Sequence, residues 1–215
     1  MAFTSQDDLV AALAAGQSFK SEWNKNSFST TAQTAGLWYS LFRGAGNPSA
    51  DTILGTGTNL AFQALRDDTS GATGIQHGGD VSPLVKHILN ASAVSASATT
   101  MPAIFQLVDL LGFYPITTVT SIANQTLDNT VTLPRYTSGA GVQAFITPTT
   151  VMGAATPNID ITYTNSGGTG SKATPTVLPQ GNSAAAVTSI VYSGTGAGKY
   201  GPFLPLAAGD AGIRS

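Results

Sequence analysis

The sequence predicts a mainly β fold: a β-sandwich or jelly-roll-like domain preceded by an N-terminal helix and an aromatic-rich extended arm. Three observations carry that expectation. Short alternating stretches at 142–147, 159–164 and 185–192 are separated by turns rich in Gly, Ser, Thr and Pro, the spacing of sandwiches and barrels. Residues 158–178 read as one hairpin. No apolar periodicity is long enough for a substantial helix.

In chain order, residues 5–15 form the predicted helix. Ser5 with Asp8 three positions later is a capping box, and Gly16 is a stop signal. Leu9 and Leu13 share a face, and Asp7 and Asp8 sit where the helix dipole favours negative charge. Residues 17–50 are rich in aromatics: Phe19, Trp23, Phe28, Trp38, Tyr39 and Phe42. These six are the candidate assembly contacts, because Trp and Tyr anchor interfaces, although large aromatics serve equally as ordinary core. A loop over 47–57, a short helical piece over 60–66 and a second loop over 71–79 follow. Domain organisation is accordingly read as 1–80, the helix and arm or loop region, and 81–215, the sandwich-like domain.

Within the second region, 85–94 is compatible with a strand. Residues 103–111 are apolar on both faces, as in a buried central strand. Pro115 breaks that run, and 116–119 could begin an edge strand. Ile159, Ile161 and Tyr163 alternate with Asp160, Thr162 and Thr164, the period of a half-buried strand. The run Ser166-Gly167-Gly168-Thr169-Gly170-Ser171 supplies the loop. Pro175 confines the returning stretch, 174–178, to an edge or bulge. Residues 207–215 contain no closing element, so the domain is expected to continue beyond the given C-terminus.

Only 9% of the chain is Asp, Glu, Lys or Arg, against roughly 25% in ordinary soluble domains. No charge lies between Lys86 and Asp109, Asp109 and Asp128, Arg135 and Asp160, or Lys172 and Lys199. A free monomer relies on a charged, mixed-sign surface. Interface cores, by contrast, are depleted in charge. The composition therefore points to a subunit of a stable assembly. Lys and Arg total 9 and are scattered singly, which argues against nucleic-acid binding. With 0 Cys there are no disulfides, thiolate nucleophiles or cysteine zinc ligands. The first residues carry two acids and no basic region, so no secretory signal is read. The longest apolar stretch, 103–116, is too short and interrupted to span a bilayer.

Motifs for catalysis fail one by one. Gly196-Ala197-Gly198-Lys199-Tyr200-Gly201 matches G-x-G-x-x-G, but Pro202 and Pro205 preclude the helix that must follow. The P-loop pattern fails too, with Ser193 in place of the first Gly and Tyr200 in place of Ser or Thr. His77 and Asp80 have no third ligand in view, and His87 reads as a strand residue. No G-x-S-x-G elbow occurs. Asp7/Asp8 and Asp67/Asp68 read as helix start and solvated turn. Asn90-Ala91-Ser92 and Asn124-Gln125-Thr126 match glycosylation sequons, which carry meaning only on a secreted chain. The expectation is therefore no catalytic, cofactor-binding or metal residue, no cofactor and no enzymatic activity.

The N-terminal Met1-Ala2-Phe3-Thr4-Ser5-Gln6-Asp7-Asp8-Leu9 with its Phe19/Trp23 segment carries a resemblance. So do His77-Gly78-Gly79-Asp80-Val81-Ser82-Pro83, Thr132-Leu133-Pro134-Arg135-Tyr136 and Tyr200-Gly201-Pro202-Phe203-Leu204-Pro205-Leu206. Together they resemble structural proteins of tailed-bacteriophage virions. The resemblance implies a head-shell or head-decoration role, synthesis in the host cytoplasm and residence in the virion. It also implies partners that are copies of the chain and other virion proteins such as the major capsid protein, with no specific nucleic acid and no membrane. The usual major-capsid fold has a long spine helix, which this sequence lacks, so decoration or cement is favoured over shell building. The alternatives are a tail-tube or tail-fibre component, or a carbohydrate-binding or hydrolytic host-surface domain using the Glu22/Trp23 neighbourhood.

Overall fold

The computed structural model describes residues 4–25, 38–50, 60–65, 74–78, 86–94, 105–116, 124–128, 132–147, 159–176, 179–180, 189–190, 192–193 and 202–215. Among these residues helix is scarce and the sheets are small and antiparallel, so the fold is mainly β. The α-helix is α1 (Gln6–Ala14). Ser5 caps it: its hydroxyl accepts from the Asp8 amide at 3.2 Å, while the Asp8 carboxylate accepts from the Ser5 amide at 3.1 Å. Thr4 adds its hydroxyl at 2.7 Å, and these bonds hold the Asp8 carboxyl below its ordinary value. Gly16 ends the helix at φ +70°, which a residue without Cβ adopts freely. No residue of α1 is buried.

Five two-stranded ladders follow. They pair β1 (Asn24–Lys25) with β3 (Gly46–Asn47), and β2 (Trp38–Tyr39) with β9 (Ser189–Ile190). They also pair β4 (Gln63–Ala64) with β5 (Gly112–Phe113), β6 (Thr162–Tyr163) with β7 (Lys172–Ala173), and β8 (Pro179–Gln180) with β10 (Tyr192–Ser193). A 3-10 turn, Leu41–Arg43, lies between β2 and β3. Two of these ladders join residues before 80 to residues after it.

Around β4 and β5, Leu65 donates to the Leu111 carbonyl and Leu60 to that of Pro115, both at 2.8 Å. Phe62 stacks on Tyr114 at 5.2 Å and lies over Gly112. The Tyr114 hydroxyl donates to the Asp128 carbonyl at 2.8 Å. Leu65 and Leu111 are both 9% exposed and form the local core. Arg135 staples this unit: Nε and Nη2 grip Asp109 at 2.9 and 2.6 Å, and Nη1 donates to the Leu65 carbonyl at 3.0 Å.

The densest hydrogen bonding lies in 139–145, 161–174 and 203–215. Thr174 donates to the Ile161 carbonyl at 2.9 Å, extending the β6–β7 hairpin. Asn165 shapes its loop: its backbone bonds Thr169 and Gly168, and its Oδ1 accepts from the Thr169 amide at 2.9 Å. Residues 211–215 then lie between two stretches. On one side Gly141 bonds Ala211 and Ile213 bonds the Val142 carbonyl; on the other Ser166 bonds Gly212 and Arg214 bonds Thr164. A Cβ on Gly212 would overlap the Gly139 carbonyl oxygen, so the backbones approach as only glycine permits. Leu204, 1% exposed, is the most buried side chain, and Phe203 meets Phe145 edge-on at 6.2 Å.

The helix at 5–15 and a hairpin within 159–176 stand where the sequence puts them, although the returning strand is Lys172–Ala173, ahead of the expected 174–178. Inside the hairpin Tyr163 is buried while Asp160 and Thr162 are exposed. Several other expectations are corrected. The described part of the expected helical piece, 60–65, is not helical; Gln63–Ala64 is a strand, because Phe62 gains Tyr114 as a ring partner and so short a helix is marginal alone. Residues 86–94 are irregular and, apart from half-buried Ala93, exposed, His87 included; the Asn90-Ala91-Ser92-Ala93 run has little strand propensity. Residues 105–109 are exposed too, and among the described residues of the expected central strand only Leu111 is buried. Its neighbours lack flanking ladders among the described residues. Residues 142–147 lie beside the C-terminal segment through single bonds from Ile213 and Leu204 rather than in a regular ladder. Finally, Gly212 and Ile213 are woven between two other stretches, an arrangement the composition of 207–215 did not announce and glycine's missing Cβ allows.

Candidate assembly surface

Of the six aromatic candidates, the structure ties four into the chain itself and leaves one open. Trp38 and Tyr39 are half-buried in β2, opposite Ile190 and Ser189. Phe42 is half-buried in the 3-10 turn, its ring facing Gly74, where an added Cβ would lie 4.0 Å away. Trp23 is half-buried and meets Phe105 edge-on at 5.8 Å. Phe19 is 57% exposed, one side of its ring against Gly78. Phe28 lies outside the described residues, as do Asp80, Asp67, Asp68 and the glycine motif at 196–201.

Phe19 borders an open groove of about 600 Å3, lined further by Lys20, Glu22, Asn47, Pro48 and Gln76. One wall is set by Lys25, whose ammonium donates to the carbonyls of Gly44, Pro48 and Ser49 at 2.9, 2.5 and 3.3 Å. Those bonds fix the turn after β3 because a cation can satisfy several carbonyls at once. Glu22 and Lys20 pair at 2.5 Å. Each holds the other ionised, lowering the Glu22 value and raising that of Lys20. The pair is exposed, so it contributes little to stability. Among the described residues lining the groove, Glu22 is the only carboxylate, and two are usual for glycoside hydrolysis. Near the groove, Lys86 donates to the His77 carbonyl at 2.6 Å and approaches Nδ1 at 2.9 Å. Among the described residues no three His, Cys, Asp or Glu side chains gather as a metal site.

A second polar cluster is one that the sequence does not announce. The Tyr163 hydroxyl donates to Asp210 Oδ2 at 2.7 Å and accepts from the Ala207 amide at 2.9 Å. Asn165 Nδ2 donates to Asp210 Oδ1 at 2.7 Å, and Lys172 stands 3.9 Å away. The Asn165 and Tyr163 bonds hold the Asp210 carboxyl below the usual range, and burial pushes the Tyr163 phenol up. The donors and acceptors satisfy one another, so this cluster fastens the turn at 207–210 to the hairpin. The alternation at 159–164 locates Tyr163; nothing local in the sequence pairs it with a residue so distant.

No protein-family model matches the chain, and no curated protein or solved structure is significantly similar to it.

Proposed function

We propose that the chain is a structural subunit of a bacteriophage particle, a head-decoration or cement protein that binds its own copies and the capsid lattice. In this reading its short antiparallel pairs belong to a β-sandwich or jelly roll. It is made in the host cytoplasm, resides in the virion beside the major capsid protein, and turns over no substrate. One observation carries the assembly role. Among the described residues the buried hydrophobic side chains are Leu65, Leu111, Tyr163 and Leu204, whereas twelve large hydrophobics are at least 41% exposed. Single exposed leucines carry no message. Runs of them, at 88–94 and 105–108 on a chain that is 9% charged, mark surface meant for covering. The phage assignment itself rests on the sequence resemblance.

The test is the mass of the purified chain by size-exclusion with light scattering, followed by electron cryomicroscopy of particles carrying a tagged copy. The expected results are an oligomer and density on the head surface. A monomer at hundreds of micromolar, or density confined to the tail, overturns this reading.

A further inference from the structure

We propose that Lys172 and Asn165 join in an intramolecular isopeptide bond, with Asp210 carrying the protons between them. The inference goes beyond the assembly reading and needs no second chain. Three side chains meet at one oxygen. Asn165 Nδ2 donates to Asp210 Oδ1 at 2.7 Å, and Lys172 Nζ stands 3.9 Å from the same atom. That distance is too long for a hydrogen bond, so the ammonium is beside the carboxylate without being tied to it. The fold brings the three together. Lys172 lies opposite Tyr163 in the β6–β7 ladder, and Asn165, two residues beyond Tyr163, falls on the same face. Asp210 arrives from the C-terminal segment, whose turn is held where the Tyr163 hydroxyl accepts from the Ala207 amide at 2.9 Å.

Each group is set for its part. The Asp210 side chain is 5% exposed, and the Tyr163 hydroxyl donates to its Oδ2 at 2.7 Å, leaving Oδ1 for the two nitrogens. The Asn165 and Tyr163 bonds keep this carboxyl ionised, as a proton acceptor must be. Asn165 Oδ1 accepts from the Thr169 amide at 2.9 Å, a donor placed where negative charge develops when an amine adds to the carboxamide. Those partners also fix which way the amide points. Turned over, its NH2 would face the Thr169 N–H and its oxygen the carboxylate.

The step balances. Lys172 passes a proton to Asp210 Oδ1, and its neutral Nζ adds to Asn165 Cγ. The Cγ–Nδ2 bond then breaks. The departing nitrogen takes up, by way of Oδ1, the two protons that Lys172 loses, and leaves as ammonium. One amide replaces another, so no oxidant, reductant or co-reactant is needed. Holding amine and carboxamide on one strand face makes the attack intramolecular, which supplies the rate that free amines and amides lack.

Intact-protein mass spectrometry on the full folded chain tests this, after several days at about pH 8.5, where neutral amine is more abundant. The expected mass is lower than the sequence requires by about 17 Da, one ammonia, with a branched peptide joining 165 to 172 on digestion. Lys172→Arg keeps the positive charge and should abolish the loss. Lys20→Arg, at an exposed lysine, should leave it unchanged. Asp210→Asn should slow it by ~100-fold, and a rate that does not fall overturns the role given to Asp210. A folded chain that keeps its full sequence mass overturns the bond. So does a loss that survives in Lys172→Arg or yields to hydroxylamine, since that marks a succinimide at an asparagine.

Discussion

Tyr163 and Asp210 show how a few polar atoms hold a region with little apolar burial. Truncating the hydroxyl in Tyr163→Phe leaves the Ala207 amide and one Asp210 oxygen without partners inside the fold. A buried polar group left unsatisfied costs about 1–3 kcal/mol, so thermal denaturation should show a lower Tm by a corresponding amount. Asp210→Asn should also lower Tm, because its amide would turn a donor toward Asn165 or Tyr163, which already donate there. The pH dependence follows in sign. The folded Asp210 value lies below the unfolded one, so its contribution is present above about pH 4 and lost as pH falls through the folded value. The folded Tyr163 value is raised, so its contribution is complete below about pH 10 and lost as pH rises through the folded value. Denaturant titrations across pH should show both limbs, and Asp210→Asn should flatten the acid one.

Elements in this chain depend on specific close approaches more than on length. In the C-terminal segment, Gly212→Ala must push the Gly139 carbonyl away, and such overpacking costs about 1–3 kcal/mol or more. Gly209, at φ +84° with nothing within 4 Å of a built Cβ, is the control; its Ala variant should lose only about 1 kcal/mol of backbone preference. Chemical denaturation of the two variants separates these costs. Around β4 and β5, Arg135→Lys forfeits the two-pronged grip on Asp109 and the reach to the Leu65 carbonyl, because an ammonium has no planar fork. Amide exchange at Leu65 should then accelerate several-fold. The helix α1 is well capped yet has no buried residue, and nine residues are marginal in isolation. Its amides should exchange fast in the free chain, and Ser5→Ala, worth about 1 kcal/mol of cap, should abolish its residual protection.

Across the molecule, the proposed assembly role would join two observations, the shortage of ionic side chains and the small number of buried hydrophobics among the described residues: hydrophobic surface would stay outside for neighbours to cover. Tm should therefore rise with protein concentration, as linkage to an oligomer requires; a Tm independent of concentration over a hundred-fold range would speak for an isolated fold. Legibility in the sequence followed range. Ser5 with Asp8, and the alternation around Tyr163, are local patterns, and their elements stand where the residues place them. The stretch at 103–111 was legible only as apolar. Whether such a run becomes a central strand or an uncovered face depends on ladders supplied from elsewhere. Among the candidate contacts, aromatic identity marked Phe19 and Trp38 alike; only packing separated them, one open beside the groove, the other paired with Ile190 in a ladder.

By itself, the sequence determined the capped helix, the hairpin with its glycine-rich loop at 166–171, and a low content of ionic side chains. These depend on neighbours in the chain or on composition, which are present before folding. Only the tertiary structure decided that residues 211–215 thread between 139–142 and 164–166, that Tyr163 meets Asp210, and that Arg135 clasps Asp109. Such pairings join residues far apart along the chain, and their energy exists only once loop closure has brought them together.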